Sequence, residues 1–201
     1  MPNTIAPKGF IPTKYLNSAA WNGSGNMYYI PSTDGSIMSP GDAVKSAAVS
    51  DAYGICGIQK ALGTDVVRGV IIGFFPASPY PTSLVGTLLD LTLQNIPAVK
   101  TRAYYALVAD DPDTLFEVQD DGLAALTATA VNKNATFTVA NPTTPAQNSA
   151  SVLSTASVAT TAGLNLRIFG LVQRDDNNFG INAKWLVKFN QHELMGNTAG
   201  I

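Results

Sequence analysis

Six carboxylates crowd twelve positions of this 201-residue chain: Asp110, Asp111, Asp113, Glu117, Asp120 and Asp121. Oxygen-rich loops can hold calcium, and two acids facing each other across a cleft can hydrolyse glycosides. The spacing is not that of a helix-loop-helix calcium site, and nothing in it suggests an opposed pair. The acids stand at the ends of two apolar runs, where Asp serves turns by accepting bonds from nearby backbone N–H groups. Turn chemistry is the expectation, with no metal and no catalytic residue assigned.

The remaining chemistry is sparse. His192 is the only histidine, and no serine or cysteine motif surrounds Gln191-His192-Glu193. It reads as a surface or interface histidine, without the partners of a catalytic triad. Cys56 is the only cysteine, which excludes an internal disulfide and a cysteine metal cluster. Within Gly54-Ile55-Cys56-Gly57-Ile58 it is expected to be a small buried apolar residue. Gly23-Ser24-Gly25 lacks the Lys and the strand-to-helix setting of a phosphate loop. No cofactor is expected.

The elements that would carry these residues read as strands. Ala103–Ala109 and Thr114–Gln119 are predicted to fold back on each other through Asp110-Asp111-Pro112-Asp113 as a hairpin. The first has almost no polar face, so it must be covered on both sides. Val66–Phe75 is continuous and β-branched, with Gly69 and Gly73 as points of bulge or close approach. Met27–Ile30, Ala43–Lys45 and Thr136–Val139 are shorter candidates. Ile181, Ala183, Trp185, Val187 and Phe189 alternate with polar residues, as a half-buried antiparallel strand does. Leu164, Leu166 and Ile168 alternate before it, joined through Arg174–Gly180 as a longer hairpin. Ser83–Gln94 fits helical and strand periods equally. Asn141–Thr161, rich in Ser, Thr, Ala and Pro, reads as a flexible surface loop with a weak strand.

Such a pattern predicts an all-β fold, a jelly-roll-like sandwich or Greek-key barrel. Residues 41–201 form its single β-domain. Residues 1–40 read as an extended N-terminal arm, because Pro2, Pro7, Pro12, Pro31 and Pro40 recur too often for regular structure. The arm is rich in aromatic anchors, so it must lie on apolar surface, of its own domain or of a neighbouring subunit. Phe10, Tyr15, Trp21, Tyr28 and Tyr29 are the candidate interface residues. Deleting residues 1–30 should then leave a folded domain that no longer assembles.

Composition limits the partners. Only 13% of residues are charged, about half the usual share. A surface so poor in charge suits coverage by other chains. A net charge of −2 without a basic run argues against direct nucleic-acid binding. The longest apolar run is too short to span a bilayer as a helix, and Met1-Pro2-Asn3-Thr4 does not open like a secretory leader. The expected compartment is the cytosol, or an assembly built there.

Several segments together resemble a family of tailed-bacteriophage head proteins. They are Phe10-Ile11-Pro12, Trp21-Asn22-Gly23, Tyr28-Tyr29-Ile30-Pro31, Gly41-Asp42-Ala43-Val44, Val70-Ile71-Ile72-Gly73-Phe74 and Leu107 to Asp113. Phe116-Glu117-Val118-Gln119, Leu171 to Asn177, Lys184-Trp185-Leu186-Val187 and Asn190 to Leu194 continue the series in order. Pro79–Asn95 and Asn141–Ala159 match poorly. The resemblance implies a capsid decoration, or cement, protein: a jelly-roll-like structural protein on the outer surface of an icosahedral head. It implies the major capsid protein as partner, and self-association as a homotrimer, with a homodimer second. Its place would be the virion, after synthesis in the host bacterial cytoplasm. No catalytic residue is carried over. The competing expectation is a carbohydrate-binding β-sandwich module on a virion surface.

Overall fold

In the computed structural model, which describes residues 3–75, 93–143 and 148–195, the most apolar strands are buried on both faces. Strand β5 (Gly69–Phe75) lies beside β6 (Tyr104–Ala109). Ile71, Phe74, Ala106 and Val108 point to one buried cluster, while Val70 and Ala109 belong to a second. Successive strand side chains face opposite ways, so a strand shared by two cores has no polar face. A bulge between Ile71 and Gly73 re-phases β5 so that Phe74 returns to the first cluster.

The first cluster fills a closed barrel in the order β2 (Asn26–Ile30), β4 (Cys56–Lys60), β3 (Ala43–Ser50), β5 and β6. β2 closes it, pairing antiparallel with β6 along its length and parallel with β4 at Tyr29–Gly57. On the other side of β4, Gly57 permits the close fit of β3, since a Cβ there would meet the Val49 carbonyl oxygen at 2.7 Å.

The second cluster lies between the barrel wall and an antiparallel sheet. That sheet runs β1 (Ile11–Tyr15), β7 (Thr114–Gln119), β12 (Lys184–Phe189), β11 (Leu166–Leu171) and β8 (Asn134–Ala135). A small ribbon of β9 (Phe137–Thr138) and β10 (Val152–Leu153) lies alongside. Ala183, Trp185, Val187 and Phe189 are buried in turn, as their alternation predicts; Ile181, before the strand, is exposed. The all-β class is as expected, and the architecture is a barrel with a sheet packed on its wall.

Three expectations give way. β6 and β7 are strands with the predicted turn between them: the Asp111 side chain accepts from the Asp113 N–H at 2.8 Å. They do not form a hairpin. β6 pairs with β2 and β5 in the barrel, and β7 with β1 and β12 in the sheet. The turn is the step from one layer to the other.

The described part of the expected arm, residues 3–40, is not laid outside a finished domain. β1 is an edge strand of the sheet, β2 a stave of the barrel, and Phe10 a core residue. Pro12 is tolerated because it sits on an edge strand, whose outer side is covered by the chain's own return through Ala19–Trp21. Between Phe10 and the barrel, Gly9 and Gly41 cross back to back, with φ of 66° and 91°. A Cβ on either would collide with the other segment's carbonyl oxygen. The Phe10 N–H donates across this crossing to the Gly41 carbonyl at 2.9 Å.

Within Asn141–Thr161, the described residues from 148 on are not a loose loop. Ser149, Ser151, Leu153 and Thr155 are buried at every second position. The serines bond each other at 2.9 Å, satisfying hydroxyls that burial would otherwise penalise. Ser83–Gln94 lies mostly outside the described residues.

Candidate functional site

Of the carboxylates predicted to make turns, Asp111, Asp120 and Asp121 accept from the backbone N–H two residues on, while Asp110, Asp113 and Glu117 make no such turn and tie other parts of the fold together. Asp110, buried at the barrel's end, accepts from the Tyr28 hydroxyl at 2.6 Å and from the Asn26 amide at 3.0 Å. Asp113 pairs with Lys188 at 2.8 Å, and Glu117 with Arg174 at 3.0 Å. Asp120 accepts from the Trp185 indole at 3.0 Å and from the Gly122 and Ala183 amides. Burial pushes its carboxyl above the ordinary carboxylate range, against the pull of those donors. Asp121 accepts from the Thr155 hydroxyl at 2.7 Å. Spread in this way, the acids share no ligand-sized centre. Among the described residues, no three His, Cys, Asp or Glu side chains stand close enough to hold a metal ion.

His192 is not a surface residue; it is 2% exposed. It belongs to a clasp that returns from β12 to the barrel. The Val67 N–H donates to the Gln191 carbonyl, and the Glu193 N–H to the Val67 carbonyl, both at 3.0 Å. Glu193 then accepts from the Ser46 backbone at 2.8 Å and from its hydroxyl, and faces Arg68 at 3.7 Å. Arg68 donates through Nε to the Tyr28 hydroxyl at 2.7 Å, which links the clasp to Asp110. Burial of Tyr28, reinforced by Asp110, keeps its phenol protonated.

Burial, with the nearby Arg68 cation, lowers the His192 pKa from 6.5 to about 4. The unfolded chain therefore binds a proton between those values that the folded chain refuses. Stability should fall as pH drops through that window, by up to about 3 kcal/mol. Asp42 and Asp120, both raised by burial, act in the opposite sense, losing stability as pH rises through their folded values. Denaturant melts of wild type and His192→Gln at matched pH isolate the histidine. The difference should narrow steadily from pH 7 to pH 4, and a constant offset would disprove the assignment.

Cys56 is exposed on β4, contrary to the expectation of burial. The buried position in its strand is taken by Ile58, two residues on.

The five aromatic candidates do not converge. Phe10 is 1% exposed, with its ring centroid 5.1 Å from Phe189 and 5.2 Å from Phe137. Tyr28 is 3% exposed and held by the barrel network. Neither can reach a neighbouring subunit. Tyr15 and Trp21 are half-buried in the return that covers β1: the Tyr15 hydroxyl bonds Ser24 at 2.8 Å, and Trp21 packs against the second core. Tyr29, also half-buried, lies on the outer barrel wall with its ring 5.6 Å from Tyr105.

The depressions among the described residues are open to solvent. One of about 220 Å³, beside β1 and β7, is lined by Lys8, Ile11, Glu117, Arg174 and Lys184. Its Arg174 is already engaged by Glu117 and by Asp176 at 3.3 Å. Among the described residues, no helix is long and apolar enough to cross a membrane. What this surface offers is exposed apolar side chains, including Leu123, Ile5, Val99, Leu62, Ile181 and Phe179. A scan against protein-family models finds no match for the chain, and searches of curated proteins and of solved structures find none either.

Proposed function

We propose that the chain is a virion structural protein, a cement protein on the outer surface of an icosahedral phage head that stabilises contacts between capsomers. The observation that carries this reading is the ordered series of segments resembling that family, together with where they fall. They lie at β1, β2, the turn into β3, β5, the layer crossing at Asp110, β7, β12 and the clasp, with two more, Trp21-Asn22-Gly23 and Leu171 to Asn177, largely in connecting loops. Most of the resembling segments thus fall on strands or on the turns between them.

A doubly cored β-body suits the task. It presents a rigid surface whose contacts, repeated over a shell, need not be individually strong. The protein acts by adhesion to the major capsid protein, with no bond made or broken. A carbohydrate platform would want neighbouring exposed aromatic rings; Trp185 is fully buried, and the exposed Tyr53 and Phe179 stand on different loops.

The test is binding to heads that lack the protein. Purified protein should co-sediment with them, saturate at a fixed copy number per head, and raise their disruption temperature. Failure to sediment with heads at tens of micromolar would end the proposal.

A further inference from the structure

The outer face of the five-stranded sheet carries more positive charge than its own acids answer. Side chains alternate along a strand, and those facing away from the second core include Lys14 beside Leu115, and Lys188 directly opposite Arg167. One row across β1, β7, β12 and β11 therefore reads Lys14, Leu115, Lys188, Arg167. Further along, Lys8, Arg174 and Lys184 line the depression of about 220 Å³. These six are half of the 12 basic residues in a chain of net charge −2.

The acids of this face are already engaged. Asp113 pairs with Lys188 at 2.8 Å and Glu117 with Arg174 at 3.0 Å. Asp176 reaches Arg174 at 3.3 Å and Lys184 at 3.7 Å. Asp111 serves its own turn, and Asp175 lines neither this depression nor the one beside Arg167. Among the described residues, Lys8, Lys14 and Arg167 make no ion pair, and Lys8 and Arg167 are exposed. Setting Arg167 opposite Lys188 works against the fold, because like charges facing each other on neighbouring strands destabilise a sheet. Departures of that kind are found where function requires them.

We infer that this face docks on an acidic protein surface, whose carboxylates engage Lys8, Lys14 and Arg167. A guanidinium offers a carboxylate two parallel N–H donors. Exposed Phe169 lies with Arg167 and Lys188 around one depression, and Ile11 lines the other, so apolar contact is on hand beside the charges. Arginine and aromatic side chains together are typical of protein interfaces. A polynucleotide suits the face less well. Asp113, Glu117 and Asp176 interleave with the cations and would meet its phosphates, which bind through cations free to displace counterions. On the capsid reading, which this rests on, the acidic partner is the shell itself.

The test is co-sedimentation with heads that lack the protein, at two salt concentrations. Raising salt from about 50 to about 300 mM should weaken wild-type binding at least about 10-fold. Arg167→Glu and Lys8→Glu should each weaken it at least about 10-fold at the lower salt, by setting carboxylate against carboxylate. Arg167→Glu should melt no lower than wild type, since it turns a like-charge pair into an opposite one. Lys8 precedes the strands, so its reversal repeats the measurement where no strand packing changes. Arg102→Glu, on the barrel beside Tyr104, should bind as wild type does. Wild-type binding that ignores salt and both face variants would overturn the assignment and leave the capsid reading standing. Wild type that does not sediment with heads ends both. A short DNA duplex that binds wild type and not Arg167→Glu would give the face to nucleic acid and overturn the assignment as well.

Discussion

A chain lacking residues 1–30 is expected not to fold. The far-ultraviolet spectrum should lose its β signature and the cooperative melt should vanish. β2 closes the barrel: without it, β6 and β4 face each other across an open edge, and the interior loses Tyr28 and Ile30. The sheet loses β1, and Phe10 leaves a hole between Phe116, Phe137 and Phe189. Emptying a single buried phenylalanine costs about 3–5 kcal/mol, and a domain of this kind has only about 5–15 kcal/mol in total. The deletion removes several such contributions together. Phe10→Ala serves as the graded companion, remaining folded at a visibly lower melting temperature. A truncated protein that melts cooperatively near the wild-type temperature would show that these residues decorate the domain without belonging to it.

The second large effect is expected at Lys60. Its ammonium is 2.8 Å from Asp42 Oδ2, and both side chains are largely buried. Asp42 is 1% exposed; Oδ2 also accepts from the Ser39 N–H at 2.9 Å, and Oδ1 has no hydrogen-bond partner. Burial already raises this carboxyl, with Lys60 holding it down. Lys60→Met strands the charge, which should cost about 3–5 kcal/mol near neutral pH. Adding Asp42→Asn, which keeps an acceptor for Ser39, should recover most of the loss. The linkage sign supplies a further check. With Lys60 gone, the folded pKa of Asp42 rises further above its unfolded value. The variant's deficit should therefore shrink as pH falls and grow as pH rises through that folded value. Equal losses for single and double variants in urea titrations would refute the pairing.

Local pattern carried much of the fold. The alternation from Ala183 to Phe189 specifies a strand with one buried face, and the unbroken apolar run at Val70–Phe75 specifies burial on both. The hairpin of β11 and β12 was legible because its partners are neighbours in sequence. β4 was not, since Cys56-Gly57-Ile58-Gln59-Lys60 has few apolar residues, and its place depends on Gly57 fitting against Val49. Of the candidate site residues, the aromatic types were visible, yet Phe10 and Tyr28 went inward while Leu123 and Ile5 remained outside. Hydrophobicity says that a side chain gains from burial, and only the completed packing says which side chains find cover.

By itself, then, the sequence determined the class of structure, most of the strands, the turn chemistry of Asp111, Asp120 and Asp121 and the scarcity of histidine and cysteine. These follow from side-chain type and from a period of two along the backbone. Tertiary structure decided that β6 and β7 part into different layers, that residues 10–30 complete both cores, and that His192 is buried within the clasp against Val67. Each of these depends on contacts between residues tens to more than a hundred positions apart, and no local periodicity encodes which distant strand a given strand will pair with.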